Sequence, residues 1–247
     1  MKLPDFIIIG AMKCGTTVLW HNLNKHPDIF MGKNLDDPKK TSTEIRFWND
    51  GSPHHVWKNG INWYKKLFKK DKCCGEKCAN YIEENLTFKR MHKHIPNAKL
   101  ILCVRNPADR MYSEYQMQRH TQGLSEKYNF AKDVGYTHRG KYFEMIKRNV
   151  LPYYPKESIH IVIQERMKDD VTGEMNKIFK FLDLSEHIIP VQKVSVKQKD
   201  EKIKDYKKWS SDYKNLDPSI RQQLMKLFEP HNQKLFDFMG ATVKEWV

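Results

Sequence analysis

The sequence predicts an α/β fold: a central parallel β-sheet flanked by helices, in one domain spanning 1–247. Three observations carry that expectation. The short runs Phe6–Ile9, Ala98–Val104 and Ile159–Ile163 are apolar with little polar alternation, as in strands buried on both faces. Each leads into a segment with helical character, so the chain repeats strand and helix. No internal repeat or long linker breaks the series.

The first unit is the most informative. Phe6-Ile7-Ile8-Ile9 is followed by a loop bracketed by Gly10 and Gly15, and Thr16-Thr17-Val18-Leu19-Trp20 opens a helix. Such a loop can turn several backbone N–H groups toward one point at a helix N-terminus, which makes an anion site. Lys13 adds a positive charge there, and the hydroxyls of Thr16 and Thr17 add donors. Gly10 and Gly15 have the spacing of the nucleotide P-loop, but Thr16 stands where its lysine belongs. A triphosphate–magnesium reading therefore loses its main contact. A phosphate without that metal is the expected anion.

The helix is predicted over Thr17–Lys25 and stops at His26-Pro27, with His26 a capping or packing residue. A polar loop, Lys33–Thr43, precedes Glu44-Ile45-Arg46-Phe47-Trp48-Asn49. Taken alone, Glu44 is either a solvated charge or a base whose pKa is raised by burial beside its aromatic neighbours. Trp57–Lys72 reads as a helix with Trp63, Tyr64, Leu67 and Phe68 inward and lysines outward. Strand Ala98–Val104 ends on Arg105, with Asn106 as N-cap and Pro107 as first residue of the next helix. Arg105 then lies at the carboxyl edge of the sheet, where open α/β sheets bind ligands; its structural alternative is an ion pair with Asp109. After Ile159–Ile163, apolar Val171, Met175, Ile178 and Leu182 mark a helix ending at Leu184. Gln192–Asn215 holds eight lysines without periodicity and reads as a mobile basic loop. Asp217-Pro218 caps a last helical region that Pro230 kinks or divides and Gly240 ends.

Lysine and arginine number 44 against 30 acids, a net charge of +14 that implies an anionic partner. A non-catalytic polyanion-binding protein, for nucleic acid or glycan, is the alternative on charge alone, but neither a helix-turn-helix nor an RNP-type signature is present. The five cysteines, Cys14, Cys73, Cys74, Cys78 and Cys103, form neither a disulfide framework nor zinc-ligand spacing. A reduced, cytoplasmic setting is expected, with no membrane span in the segment.

Lys13-x-Gly15-Thr16-Thr17 with His26-Pro27 resembles the 5′-phosphosulfate loop of sulfotransferases that use 3′-phosphoadenosine 5′-phosphosulfate (PAPS). More narrowly, the chain is similar to heparan sulfate N- and 3-O-sulfotransferase domains from Pro4 to about Gly240. The resemblance implies their P-loop-like fold and sulfuryl transfer from PAPS to a hydroxyl or amine, leaving 3′-phosphoadenosine 5′-phosphate (PAP). It implies that Lys13, Cys14, Gly15, Thr16, Thr17 and Val18 hold the 5′-phosphosulfate. Val104-Arg105-Asn106-Pro107, running on to Ser113 and Tyr115, looks like the 3′-phosphate motif, with Arg105 and Ser113 as the grip. Glu44-Ile45-Arg46-Phe47-Trp48 matches the segment whose glutamate is the general base; 3-O-sulfotransferases follow it with histidine and aspartate where this chain has Arg46 and Asn49. Glu76-Lys77-Cys78-x-x-Tyr81 resembles a second family segment, which points Lys77 at the sulfuryl group or acceptor. Lys13 and Lys77 would meet charge on the leaving oxygen, so no metal is implied. N-sulfotransferase members carry a histidine where this chain has Met117, and His120 is out of register. The family's cysteine-paired hairpin over the nucleotide falls in the lysine-rich loop, which lacks the cysteines; Lys197, Lys199, Lys207 and Lys208 are possible contacts there. The implied partners are the nucleotide donor and an anionic or polar acceptor, a glycosaminoglycan-like carbohydrate or a small metabolite.

Overall fold

A computed structural model describes residues 1–34, 42–50, 55–123, 131, 134–190 and 216–247. The lysine-rich loop and most of the polar loop before Glu44 lie outside the described residues. In chain order the elements are β1 (Phe6–Gly10), α1 (Thr16–Leu23), β2 (Ile29–Met31), α2 (Gly60–Lys65), β3 (Cys73–Lys77), α3 (Asn85–His94) and β4 (Lys99–Val104). There follow α4 (Pro107–Gln122), α5 (Val134–His138), α6 (Tyr142–Met145), β5 (Ile159–Ile163), α7 (Gln164–Asp169), α8 (Val171–Phe181) and α9 (Pro218–Met239).

All five strands are parallel, in the order β2-β3-β1-β4-β5. β1 is central because all of Phe6–Ile9 is apolar, and each of those side chains is fully buried. Burying one such side chain is worth about 1.5–3 kcal/mol. From β1 the chain crosses to β2 on one edge, whereas from β4 it moves to β5 on the other. The outgoing connections of neighbouring β1 and β4 therefore diverge and open a crevice at their carboxyl ends, the topological switch point where such sheets bind ligands. A second, smaller apolar cluster joins Met111 and Tyr115 of α4 to Leu224 and Phe228 of α9.

The three apolar runs are strands, and Asn106 caps α4 through Oδ1, which accepts from the N–H of Ala108 at 3.0 Å. His26 packs as expected: its ring accepts from the Asp28 N–H, and its other nitrogen meets the Ser185 carbonyl. Elsewhere the structure differs from the sequence reading. The helix expected over Trp57–Lys72 is a short 3-10 turn at Trp57–Asn59 and then α2, ending at Lys65. Leu67 and Phe68 are buried, but from a turn that lets the chain extend into β3. β2 and β3 escaped the sequence reading, since three residues and Cys-Cys-Gly-Glu-Lys carry no strand pattern. α9 runs uninterrupted through Pro230 and ends at Gly240.

Candidate active site

Three strand ends meet at the crevice. Beyond β1, Gly15 takes a left-handed conformation (φ 86°) at the N-cap of α1 and supplies no side-chain cap. The first-turn N–H groups of α1 are thus left to whatever lies in the crevice. A Cβ at Gly10 would come within 2.8 Å of Ile82 and 3.0 Å of the Ala79 carbonyl, so the loop passes where only glycine fits. Lys13 is also left-handed (φ 68°). Burial, then the nearby Arg105 charge, lowers its ammonium pKa below the ordinary lysine value. Cys14 turns inward: its N–H donates to the Ala11 carbonyl, and its thiol packs by the Tyr142 hydroxyl, with burial pushing its pKa up to about 11.

At the end of β4, the Tyr142 hydroxyl donates to the Arg105 carbonyl at 2.7 Å and fixes the backbone from behind. Arg105 lines the crevice. The alternative partner, Asp109, pairs instead with Arg221 across to α9. Ser113, two turns into α4, faces the same space.

Glu44 enters from the segment after the polar loop. In that segment Ile45, Phe47 and Trp48 are fully buried in the core, while Glu44 and Arg46 line the crevice, Arg46 from a left-handed backbone position (φ 58°). Phe47 stacks on Tyr64 with ring centroids 4.2 Å apart, and the Tyr81 hydroxyl accepts from the Phe47 N–H at 2.9 Å. Tyr64 and Tyr81 both donate to the fully buried Glu76 carboxyl, at 2.6 and 3.1 Å. Burial pushes the pKa of Glu76 up to about 7, against those hydrogen bonds.

Both Glu44 oxygens are engaged. Oε1 accepts from Lys77 Nζ and from the Ala79 N–H, each at 3.2 Å; Oε2 accepts from Arg46 Nε at 3.1 Å and pairs with its other nitrogen at 3.0 Å. Burial alone would raise the Glu44 pKa, but the Lys77 and Arg46 charges with these hydrogen bonds outweigh it and hold the carboxyl below the usual range. The sequence expectation of a raised pKa is corrected in sign. Lys77 is only 3% exposed, and its ammonium reaches Glu44 Oε1 at the wall of the cleft.

A single cleft of about 820 Å³ is lined by Lys13, Gly15, Thr16, Thr17, Val18, Glu44, Arg105 and Ser113. The structure thus gathers the sequence-predicted residues apart from Cys14 and Lys77. It adds Asn80, Gln118, Gln122, Arg139 and Gln164, none of which carried a sequence signal. Arg139 is held by Glu83 and by Glu114, which also pairs with the fully buried Arg110. Met117 lines the cleft as well, and His120 does not.

The profile of the sulfotransferase domain matches residues 3–238. The chain is 32% identical over 206 residues to bifunctional heparan sulfate N-deacetylase/N-sulfotransferase 4 of Mus musculus, covering 75% of this chain and 23% of that protein. Against the Homo sapiens enzyme numbered 3 it is 31% identical over 207 residues, with 75% and 23% covered. The chain therefore spans about a quarter of the length of these curated relatives. A sulfotransferase from Alicyclobacillus acidocaldarius superposes with a TM-score of 0.75 at 22% identity, covering 100% of this chain and 99% of that one. Mouse sulfotransferase SULT7A1, solved with PAP, shares the fold with a TM-score of 0.52 at 16% identity over 94% and 84% of the two chains. A central parallel sheet with its cationic crevice at the switch point, and a profile match over nearly the whole sequence, place this chain in the sulfotransferase domain family.

Proposed function

We propose that the chain transfers a sulfuryl group from PAPS to a hydroxyl or amine of an acceptor, with Glu44 as general base. One observation carries this reading: the α1 N-terminus with Lys13, the Arg105–Ser113 pair and the Glu44 carboxylate all face one cleft, although they come from three separate parts of the chain. The residues suit the donor. Two cationic positions on neighbouring strand ends match a ligand with phosphate groups at both ends, and the cleft volume lies in the range of nucleotide-sized pockets.

When bound, PAPS supplies the sulfuryl group. The first-turn N–H groups of α1, with Lys13, Thr16 and Thr17, would hold its 5′ end. Arg105 would grip the 3′-phosphate through parallel hydrogen bonds from its planar fork, with Ser113 beside it. A lowered Glu44 pKa keeps the carboxylate ionised at neutral pH, ready to take the acceptor proton. Lys77 orients that carboxylate by holding Oε1. Lys13 is placed to meet charge building on the leaving oxygen, where a preorganised donor is worth roughly 3–4 kcal/mol. The acceptor we favour is a polar or anionic carbohydrate, because the cleft is cationic and the curated relatives carry heparan sulfate in their names. A reducing, cytoplasmic setting suits five free cysteines. Among the described residues no helix is long and apolar enough to cross a membrane.

A melting curve with and without PAP tests the donor reading. Ligand at about 100 times Kd adds roughly 2.7 kcal/mol. At this chain length that raises Tm by about 2–4 °C per kcal/mol. An unchanged Tm, with no heat of binding, would overturn it. Non-catalytic polyanion binding predicts instead no PAP response and an affinity that falls steeply with salt.

A further inference from the structure

β3 ends on two charged residues, Glu76 and Lys77, whose side chains leave opposite faces of the sheet. Lys77 meets Glu44 across an isolated parallel bridge, and its ammonium holds the Glu44 carboxylate. Glu76 is fully buried and does not line the cleft. It reaches the same segment through two tyrosines. An N–H group can only donate, so the Tyr81 oxygen accepts from the main-chain N–H groups of Phe47 and Trp48, at 2.9 and 3.4 Å. The Tyr64 oxygen accepts from the Trp48 indole at 3.0 Å. Each hydroxyl proton is then left for Glu76 Oε1, which lies 3.1 Å from Tyr81 and 2.6 Å from Tyr64. An ionised Glu76 completes this set, whereas a proton on it does not fit. The hydroxyl beside Oε2 is that of Tyr81, at 3.4 Å, and both lone pairs of its oxygen are already given to Phe47 and Trp48. A buried donor without an acceptor is costly, so the proton is accommodated only by displacing one of those N–H groups.

We propose that Glu76 is a positioning residue for the reaction: its ionised carboxylate, acting through Tyr81 and Tyr64, holds the Phe47–Trp48 backbone and with it the base Glu44, and protonation loosens that hold. The proposal rests on the sulfuryl-transfer reading and adds a residue that touches neither donor nor acceptor. The end of β3 then clamps the base segment twice, Lys77 at the Glu44 carboxylate and Glu76 three residues further along. Ile45, Phe47 and Trp48 are fully buried, so a shift at one end of the segment is passed along it rather than taken up in solvent. Burial raises the Glu76 pKa to about 7, which places the change near neutrality. Above that pH the base is held, and below it the hold is lost. The groups facing Glu76 are Tyr64 of α2, Tyr81 and Cys78 beyond β3, and Glu44 on the base segment. Tyr154 lies near Tyr64, and Arg90 and His94 of α3 pack against Trp48. Of these, His94 also titrates near neutrality, with its pKa lowered by burial from the ordinary histidine value.

Carboxyl-carbon NMR of Glu44 tests the linkage without turnover, the signal being assigned as the one lost in Glu44→Gln. Between about pH 5.5 and 9 Glu44 is itself ionised, so an inflection there reports a neighbour. Wild type should show one with its midpoint at about 7. Glu76→Gln should show none, and an inflection that survives in it belongs to His94 and overturns the assignment. Tyr81→Phe keeps the Glu76 charge but cuts its link to the Phe47–Trp48 backbone. The Glu44 inflection should therefore lose most of its amplitude there, while the Glu76 carboxyl signal still titrates. Tyr64→Phe cuts the other link and repeats the test should Tyr81→Phe not fold. Full amplitude in both tyrosine variants would mean that charge alone reaches Glu44 through space, and a flat wild-type curve would mean that nothing does; either overturns the proposal. PAP binding to wild type, measured by calorimetry, separates the two ideas. No PAP binding with the coupled titration intact sinks only the donor reading; PAP bound with a flat Glu44 curve sinks only the positioning role.

Discussion

Glu76 should make this protein lose stability as the pH rises through neutrality. Its carboxyl is fully buried in β3, accepts hydrogen bonds from Tyr64 and Tyr81, and has its pKa raised by burial from 4.5 to about 7. Between those two pH values the folded chain keeps a proton that the unfolded chain has released. The folded state then binds more protons, so stability falls with pH. The contribution is fully present below pH 4.5 and is lost once the pH has passed about 7. That interval corresponds to about 3 kcal/mol. Urea unfolding of wild type and Glu76→Gln at several pH values from below 5 to above 7 isolates the effect, because every other titrating group is common to both proteins. Wild type should lose about 3 kcal/mol relative to the variant across the range. Parallel pH profiles would refute the reasoning, and a wild-type gain on raising the pH would show that the sign is wrong. The test bears on the site as well, because Tyr64 and Tyr81 hold the segment that carries Glu44.

Further outcomes can be checked with single variants. Glu44→Gln should lower kcat by about 10²–10⁴ while leaving the PAP Kd unchanged, measured by transfer of label from PAPS and by calorimetry; retained turnover would move the base elsewhere. Arg105→Ala should weaken PAP binding by roughly 10–100-fold, the equivalent of about 1.5–3 kcal/mol for a hydrogen bond to a charged group, and equal affinity would remove the 3′-phosphate assignment. Gly75→Ala would place a Cβ 2.2 Å from the Phe6 ring across the β1–β3 pair and should cost about 1–3 kcal/mol, read as a drop in Tm. Adding Phe6→Leu should recover part of that loss, and a Tm equal to wild type in the single variant would contradict the packing.

Two side chains share the Glu44 carboxylate, Arg46 at 32% exposure and Lys77 at 3%. A residue type that shortens or neutralises position 46 would remove the contact to Glu44 Oε2 without touching Lys77. The acid-base behaviour of Glu44 therefore depends on a neighbour two residues away as much as on its own burial.

What the sequence determined by itself is local. Phe6–Ile9, Ala98–Val104 and Ile159–Ile163 announce buried strands because an unbroken apolar run has few other stable places. Gly10, Gly15, Asn106 and Pro107 mark the turns and caps because their backbone chemistry acts within a few residues. The resemblance of the Lys13, Glu44 and Arg105 segments to a known family could likewise be read from short stretches. Tertiary structure alone decided the rest. Cys73–Lys77 became an interior strand because Glu76 finds Tyr64 and Tyr81, and Lys77 finds Glu44 thirty-three residues away. No short-range pattern encodes such partners. The sign of the Glu44 pKa was decided in the same way. Burial and opposite charge push a carboxyl in opposing directions, and only the distances to Lys77, Arg46 and the Ala79 N–H determine which prevails.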